Sequence, residues 1–244
     1  MKLSDFKVLT FDTYGTLIDW ETGIANGLAP LVEQAGLEDQ LSRDEILAVF
    51  ARHESAQQEE TPAMVYMQLL SVVYQRLARE WGVRVTNEQA NIFGASVPDW
   101  PEFPDSPRAL QYLKKHFKVV TLTNCDRLSY RASNARLRIE YDAIYTAQDI
   151  GAYKPDPRNF EYMLRRLQDD FGLGRRDILH TAQSLFHDHA PANQFGLASA
   201  WIDRRHAAQG WGATMPPPGT PRVDFKFDSM AAMVKAHRRE LQGD

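Results

Sequence analysis

The chain has 244 residues, 43% of them hydrophobic and 25% charged, and its formal net charge is -4. This length allows one large domain, or a domain with a sizeable insertion, around a real hydrophobic core. The mild acidity and the lack of a face rich in Lys and Arg argue against nucleic acid as a partner, so we expect a small-molecule partner.

The single cysteine, Cys125, rules out an internal disulfide and leaves too few thiols for a zinc site of the usual spacing. The opening residues MKLSDFKVLTFD lead directly into a predicted strand, with no apolar run long enough for a signal peptide or a membrane span. We therefore expect a cytoplasmic protein with no membrane partner.

The first predicted element is a short apolar strand, Val8–Phe11, which runs into Asp12 and then breaks at Tyr14-Gly15-Thr16. Open α/β sheets place reacting groups at the carboxyl ends of buried strands, and a tight glycine turn marks such an end here. Asp12 is therefore the candidate for the group that performs the chemistry.

A block of helices follows, because from Glu21 to about Val97 the apolar residues fall at helical spacing and no strand pattern appears. Helices are predicted over residues 21–34, 43–59, 63–81 and 87–95. A proline-rich segment, 98–107, then leads back to strands. This order predicts a core domain of residues 1–18 and 99–244, with a helical cap domain of residues 19–98 inserted after the first strand.

Beyond residue 107, predicted strands and helices alternate along the chain. Strands are predicted over 118–122, 143–146, 177–181, 198–202 and 225–227, and helices over 108–116, 127–136, 157–171, 188–195 and 229–241. A loop rich in Gly and Pro spans 209–221. The alternation is typical of βαβ units and predicts an α/β fold with a mainly parallel sheet.

Polar side chains that follow the predicted strands would converge on one edge of the sheet. In chain order they are Asp12, then Thr123 and Asn124, then Lys154, and finally Gln183, Ser184 and Asp188. The set fits a nucleophile, an oxyanion or leaving-group binder, a cation that keeps the nucleophile ionised, and a base for a second step.

Four motifs carry a resemblance to a known family. They are Asp12-Thr-Tyr-Gly-Thr-Leu, Thr123-Asn124, Lys154-Pro-Asp-Pro and Ser184-Leu-Phe-His-Asp188. Together they resemble the ordered motifs of the haloacid dehalogenase superfamily, over nearly the whole chain. The resemblance implies a Rossmann-like core with a cap that closes over a nucleophilic aspartate.

Two positions separate the branches of that superfamily. Its Mg²⁺-dependent phosphatases carry a second aspartate two residues after the nucleophile, where this chain has Tyr14, and an acidic metal ligand in the fourth motif, where it has Gln183. A neutral amide is a poor ligand for a hard divalent cation, which prefers carboxylate oxygens. Both differences point away from metal-assisted phosphoryl transfer.

The pattern D-x-Y-G-T-L resembles instead the L-2-haloacid dehalogenase branch, which acts on short 2-haloalkanoates or haloacetates without metal or cofactor. The resemblance implies attack of the Asp12 carboxylate on the carbon that bears the halogen, with inversion there, to give an ester. Water, oriented or deprotonated by Asp188, would then release a 2-hydroxy acid. Lys154 would hold positive charge near Asp12 and keep its pKa low.

A halocarboxylate also needs a paired cation for its own carboxylate. The resemblance places the family's cap arginine near Arg52, in AVFARHESAQQ, with Arg43 as the alternative. The predicted substrate-binding residues are Tyr14, Arg52, Thr123, Asn124, Gln183, Ser184 and His187. Among them, His187 is a candidate hydrogen-bond donor to the departing halide.

Two other functions stay open at this point. One is a phosphatase-type hydrolase of the same superfamily, and the other is a catalytically inactive member that serves as a binding protein. Dimers are common in the family that the chain resembles, so a homodimer is a further expectation to test.

Overall fold

The structure is a computed structural model, and it describes residues 1–206 and 210–243. Gln209, the first residue of the predicted loop, and Asp244, the last residue of the predicted core domain, lie outside the described residues. The strands are β1 (Val8–Phe11), β2 (Lys118–Thr123), β3 (Ala143–Thr146), β4 (Ile178–Ala182), β5 (Ala198–Ile202) and β6 (Phe225–Phe227). They form one parallel sheet in the order β3-β2-β1-β4-β5-β6.

The first strand lies inside the sheet, and every one of its residues is buried, as expected for a strand covered on both faces. It pairs with β2 on one side and β4 on the other, and Phe11 stands opposite both Thr121 and Thr181. The carboxyl ends of these three strands therefore meet at one edge of the sheet. Asp12 and Asn124 follow two of them directly.

α-Helices lie between successive strands as far as β5, and one more follows β6. In the described residues they are α1 (Trp20–Ala35), α2 (Arg43–Glu60), α3 (Tyr66–Glu80), α4 (Asn87–Gly94), α5 (Ser106–Leu113), α6 (Arg127–Leu137), α7 (Ala147–Ile150), α8 (Arg158–Phe171), α9 (Ala190–Gln194) and α10 (Met230–Gln242). The predicted fold class, a Rossmann-like parallel core with helices inserted after the first strand, is confirmed. Across the described ranges, no helix combines the length and apolar character that a membrane crossing needs.

Two predicted helices differ from the observed ones by three residues at their start, for local reasons. The third cap helix begins at Tyr66 rather than at residue 63, because Met64 N–H closes a turn on Thr61 O (2.9 Å). The helix predicted over 188–195 begins earlier as a π-helical turn, Leu185–His189, and continues as α9. The short helix α7 was not predicted.

Two apolar clusters cover the faces of the sheet. One includes Val8 of β1 and Phe160 of α8. The other includes Leu9, the next residue of β1, and continues into the helical block through Trp20 and Phe50. Since successive strand residues point to opposite faces, β1 supplies both clusters. The second cluster packs the block α1–α4, called the cap below, onto the sheet edge that carries Asp12.

Candidate active site

Asp12 is fixed at the end of β1 by hydrogen bonds to its backbone and its carboxylate. Its backbone N–H donates to Thr181 O (3.1 Å), and the Thr16 hydroxyl donates to Oδ2 (2.6 Å). The turn between the two residues needs Gly15, which has a φ of 89° and where a Cβ would lie 2.9 Å from Trp20 Nε1. The side chain of Asp12 is therefore buried and held in one orientation.

The Lys154 ammonium lies between two carboxylates. Lys154 is 1% exposed, and its Nζ donates to Asp12 Oδ1 (3.0 Å), Asp188 Oδ1 (2.7 Å) and Leu122 O (3.0 Å). These three bonds use all of its N–H donors. Burial alone would lower the pKa of Lys154, but the two carboxylates raise it, so the group stays charged.

Asn124 holds the backbone of Lys154 through a reciprocal pair of hydrogen bonds. Lys154 N–H donates to Asn124 Oδ1 (2.7 Å), and Asn124 Nδ2 donates to Lys154 O (3.0 Å). Asn124 thereby positions the lysine, and its second amide hydrogen is left for a ligand.

Asp188 lies in the π-helical turn, with both of its oxygens buried. Oδ1 accepts from Lys154 and lies 2.9 Å from His180 Nε2, while His180 Nδ1 lies 2.9 Å from Thr10 Oγ1. Although burial favours the un-ionised acid, Lys154 and His180 hold the pKa of Asp188 well below its usual range. Oδ2 has no hydrogen-bond partner among the described residues, so it can accept one from a water molecule.

The pKa of Asp12 differs in direction from the prediction. Burial raises it, Lys154 opposes that effect, and the ionised Asp188 raises it further. One ammonium is shared by two buried carboxylates, and Asp188 has His180 as a second donor. Lys154 therefore lowers the pKa of Asp12, as expected, but it offsets only part of the cost of burial, so the pKa is raised overall.

These groups border a small cavity, in which about 350 Å³ of space, part of it open to solvent, is free of protein atoms. Its core-side wall is formed by Asp12, Tyr14, Asn124, Lys154, Ser184, His187 and Asp188. Its cap-side wall is formed by Trp20, Glu54, Gln58 and Tyr66, and Thr214 completes the lining. The cavity is small, so any substrate that it takes is a short one.

Tyr14 borders the cavity while its hydroxyl is bound elsewhere. The hydroxyl donates to Cys125 Sγ (3.2 Å) and lies 2.9 Å from Ser133 Oγ, and the ring packs edge-on against Trp100. Burial raises the pKa of Tyr14 well above its usual value. Tyr14 is thus a neutral part of the wall, not an acid in the place where a phosphatase keeps its second aspartate.

His187 presents an unpaired ring nitrogen at the core-side wall. Ser184 Oγ accepts from His187 N–H (3.0 Å) and lies 3.2 Å from His187 Nδ1. If the serine hydroxyl donates to Nδ1, then Nε2 carries the proton, and Nε2 has no partner among the described residues. Burial lowers the pKa of His187 to about 4, so the ring is a neutral donor near pH 7.

Glu54 and Gln58 line the cavity but were not predicted. Both lie on the face of α2 that buries Leu47 and Phe50. The Tyr66 hydroxyl donates to Glu54 Oε1 (2.7 Å), and burial raises the pKa of Glu54 to about 7. The sequence signal for them was two polar residues in helical phase with apolar ones, which marks a buried polar pair.

Arg52 lies outside the cavity, contrary to its predicted role. At roughly 100° per helical residue, it falls on the side of α2 opposite the face of Phe50 and Glu54. It is exposed, and its Nη2 donates to both carboxylate oxygens of Glu80 (2.7 and 2.9 Å). The alternative, Arg43, borders a neighbouring cavity and donates to Thr22 Oγ1 (3.0 Å).

Thr123 and Gln183 also stand behind the cavity surface. Thr123 is buried at the end of β2, and its hydroxyl oxygen has no partner among the described residues. Gln183 N–H donates to Thr16 Oγ1 (2.8 Å), and its side chain borders two neighbouring cavities. Gln183 therefore supports Asp12 through Thr16.

The side chains around Asp12 do not fit a magnesium site. Asp12 and Asp188 share Lys154, and Tyr14 and Gln183 offer no further carboxylate. Throughout residues 1–206 and 210–243, no group of three or more His, Cys, Asp or Glu side chains has an arrangement that could hold a metal ion.

The chain matches a family model described as haloacid dehalogenase-like hydrolase over residues 6–181. The (S)-2-haloacid dehalogenase of Pseudomonas sp. (strain YL) is 26% identical over 206 residues, which cover 81% of this chain and 83% of that relative. Solved structures show the same fold. A defluorinating L-2-haloacid dehalogenase has a TM-score of 0.71 at 22% identity, over 97% of this chain and 98% of that one. The L-2-haloacid dehalogenase of Xanthobacter autotrophicus, with chloropropionic acid covalently bound, has a TM-score of 0.71 at 15% identity, over 96% and 98%.

Proposed function

We propose that this chain, which belongs to the haloacid dehalogenase-like hydrolase family, hydrolyses the carbon–halogen bond of a short 2-haloalkanoate or haloacetate to a 2-hydroxy acid and halide. The observation that carries the proposal is the buried Lys154 ammonium, which joins Asp12 and Asp188 at the wall of one small cavity. The 26% identical relative is named for a reaction of this class.

In the first step, a carboxylate oxygen of Asp12 displaces the halide from carbon 2. A carbon–oxygen bond forms from an oxygen lone pair, and the carbon–halogen bond breaks with its electron pair leaving on the halide. Lys154 and Thr16 hold the carboxylate in place for attack from the side opposite the halogen. No proton moves, and the configuration at carbon 2 inverts.

In the second step, water attacks the carboxyl carbon of the Asp12 ester. Asp188 Oδ2 orients this water and takes its proton as the new bond forms. The intermediate then expels the alkoxide of the 2-hydroxy acid, which takes the proton from Asp188. The Asp12 carboxyl loses its remaining proton to solvent, and one oxygen from water stays in Asp12.

The low pKa of Asp188 suits this transient role. Lys154 and His180 keep it ionised when the water binds and make it return the proton quickly. His187 Nε2, a neutral donor with no described partner, is proposed to bind the departing halide. A neutral donor suits this task because it adds no charge that would hold the halide after the reaction.

Neither alternative function is favoured. A phosphatase needs a metal and a second acid, and the side chains around Asp12 fit neither. An inactive binding protein would not need a buried lysine between two buried carboxylates, because such a cluster costs desolvation free energy.

The cap, residues 19–98, is proposed to close the cavity over Asp12 against the core, residues 1–18 and 99–244. We further propose that the enzyme works in the cytoplasm, since its lone thiol, Cys125, is buried and needs no disulfide partner. A homodimer is the proposed assembly, and the exposed Ile92 on α4 is a candidate contact. Light scattering at micromolar concentration distinguishes a dimer from a monomer.

The test of the function is halide release from fluoro-, chloro- and bromoacetate and from both enantiomers of 2-chloropropionate, with and without a chelator. We expect release that the chelator leaves unchanged, and a product of inverted configuration. Hydrolysis of p-nitrophenyl phosphate that requires Mg²⁺, without release of halide, would contradict the proposal.

A further inference from the structure

Glu54 and Gln58 stand about one helical turn apart on α2, and both border the cavity that holds Asp12. They are 3% and 6% exposed. Side chains four positions apart on a helix lie on the same face, so the two form one polar patch in the cap-side wall. Neither takes part in the displacement of halide or in the hydrolysis of the ester.

Both side chains keep hydrogen-bonding capacity that the protein does not use. The Tyr66 hydroxyl donates to Glu54 Oε1, and among the described residues no Lys, Arg or His forms an ion pair with Glu54. Gln58 Nε2 is buried and has no partner within the described part of the chain. A buried donor without a partner is costly, so this one calls for a ligand or a water.

The cavity lacks a free cation for an anionic ligand. Among the described residues that line it, Lys154 is the one Lys or Arg, and it is shared by Asp12 and Asp188. Two carboxylates and one ammonium leave one net negative charge. An ionised Glu54 would add another opposite a substrate anion, whereas a neutral Glu54 would not.

The neutral form of Glu54 is accessible near neutral pH. Burial raises its pKa to about 7, although the hydrogen bond from Tyr66 opposes the shift. Because Oε1 accepts from Tyr66, the acid proton belongs on Oε2, which then becomes a donor.

We infer that the un-ionised carboxyl of Glu54 and the amide of Gln58 form the subsite for the substrate's carboxylate, each donating a hydrogen bond to one of its oxygens. This subsite takes the role that an arginine would otherwise fill, and it makes Glu54 a specificity-determining residue. The inference rests on the proposed function, since it specifies how a 2-halocarboxylate is held.

The other titratable groups around the cavity would not produce the same pH dependence of substrate binding as Glu54. Tyr66 of α3 and Tyr153 interact with Glu54, and the other titratable groups that border the cavity are Asp12, Tyr14, Lys154, His187 and Asp188. Burial raises the pKa values of the three tyrosines, and it lowers the pKa of His187 to about 4. Ionisation of Asp12 has the opposite effect on activity as the pH rises, because the ionised form of Asp12 is the reactive one.

The inference predicts a specific pH dependence of substrate binding. Above the pKa of Glu54, each pH unit reduces the acid form about tenfold, so KM for chloroacetate should rise about tenfold per unit. The rate constant kcat should stay level over the same range, because bound substrate keeps Glu54 protonated. Below the pKa, KM should not change.

Glu54→Gln tests this with a residue of the same size that still donates but cannot titrate. We expect its KM for chloroacetate to stay flat from pH 6 to about pH 9 while the wild-type KM rises. Glu59→Gln, the same change at an exposed position of α2, serves as the control and should keep the wild-type profile. Gln58→Leu should raise KM at every pH and leave the slope unchanged.

The wild-type enzyme tests the inference even if Glu54→Gln does not fold. A wild-type KM that is flat with pH would overturn the inference while leaving the proposed function intact. So would an alkaline rise in KM that persists in folded Glu54→Gln, or faster halide release from 2-chloroacetamide than from chloroacetate. Absence of halide release from every substrate at every pH would overturn the proposed function itself, and the inference with it.

Discussion

The core-side and cap-side walls of the cavity differ in how their polar groups are held. On the core side, Lys154 pairs with Asp12 and Asp188 within the wall itself. On the cap side, Glu54 has a single described partner, the Tyr66 hydroxyl, and Gln58 Nε2 has none among the described residues. The ammonium and carboxylates of the core side are thus paired with one another before a ligand arrives, and Asp188 Oδ2 and His187 Nε2 stay open for water and halide. Glu54 and Gln58 on the cap side have no ionic partner among the described residues.

This difference assigns the chemical steps to the core-side wall and the selection of the substrate to the cap-side wall. Groups at the ends of parallel strands have little freedom, which suits a nucleophile and a base that must hold one geometry. Groups on a cap helix can change between relatives without altering the sheet. Substitutions in the two walls should therefore fail in different ways, with kcat affected on the core side and KM on the cap side.

The largest expected effect is that of Asp12→Asn, which removes the nucleophile but keeps the shape of the side chain. We expect kcat for halide release to fall by at least about 10⁴-fold. Circular dichroism should show the wild-type fold, since Lys154 keeps Asp188 as a partner. A folded variant that keeps a tenth of the activity or more would remove Asp12 from the mechanism.

Lys154→Met should damage both activity and stability. It leaves Asp12 and Asp188 buried without their cation, and breaking a buried pair in this way costs about 3–5 kcal/mol of unfolding free energy. The pKa of Asp12 should rise further, so that the acid limb of kcat moves to higher pH. Urea unfolding and a pH profile measure the two effects.

Lys7→Met is the matched control for that substitution. Lys7 forms an ion pair with Asp177 at 2.7 Å, but 67% of its side chain is exposed. Removing such a pair should cost less than about 1 kcal/mol, and the pH profile should not move. Equal losses in the two variants would mean that the Lys154 cluster is no more important for folding than a surface pair.

Arg52→Ala should have the smallest effect. Arg52 pairs with Glu80 at the surface and does not border the cavity. We expect KM for chloroacetate to change by less than about twofold, as is usual for the loss of an exposed ion pair. An increase of about tenfold or more would show that Arg52 turns inward when substrate binds, and would remove the need for Glu54 and Gln58 as the carboxylate subsite.

The sequence predicted the core-side wall well because its residues follow strands at motif spacing. Asp12, Lys154 and Asp188 were all placed in this way, and the structure brings them together. His180 was missed because it lies inside β4 and acts only through Asp188. The direction of the Asp12 pKa was also missed, since it depends on the balance between burial and two neighbours that only three-dimensional geometry reveals.

The cap-side wall was predicted poorly for a different reason. The need of a carboxylate for a cation and the resemblance to the family both point to Arg52, but the helical phase set by Leu47 and Phe50 does not. That phase places Glu54 and Gln58 inside and Arg52 outside. On α2, the hydrophobic periodicity therefore predicts which side chains border the cavity better than the chemistry of a related site does.

The most direct test of the mechanism is a single turnover in water enriched in ¹⁸O, with enzyme in excess over chloroacetate. Hydrolysis of an Asp12 ester leaves one oxygen from water in the Asp12 carboxylate, so mass spectrometry should find the label in the peptide that contains Asp12. The 2-hydroxy acid from that first turnover should carry no label. Label in the product alone, with an unlabelled Asp12 peptide, would contradict the ester intermediate and show that water attacks the substrate directly.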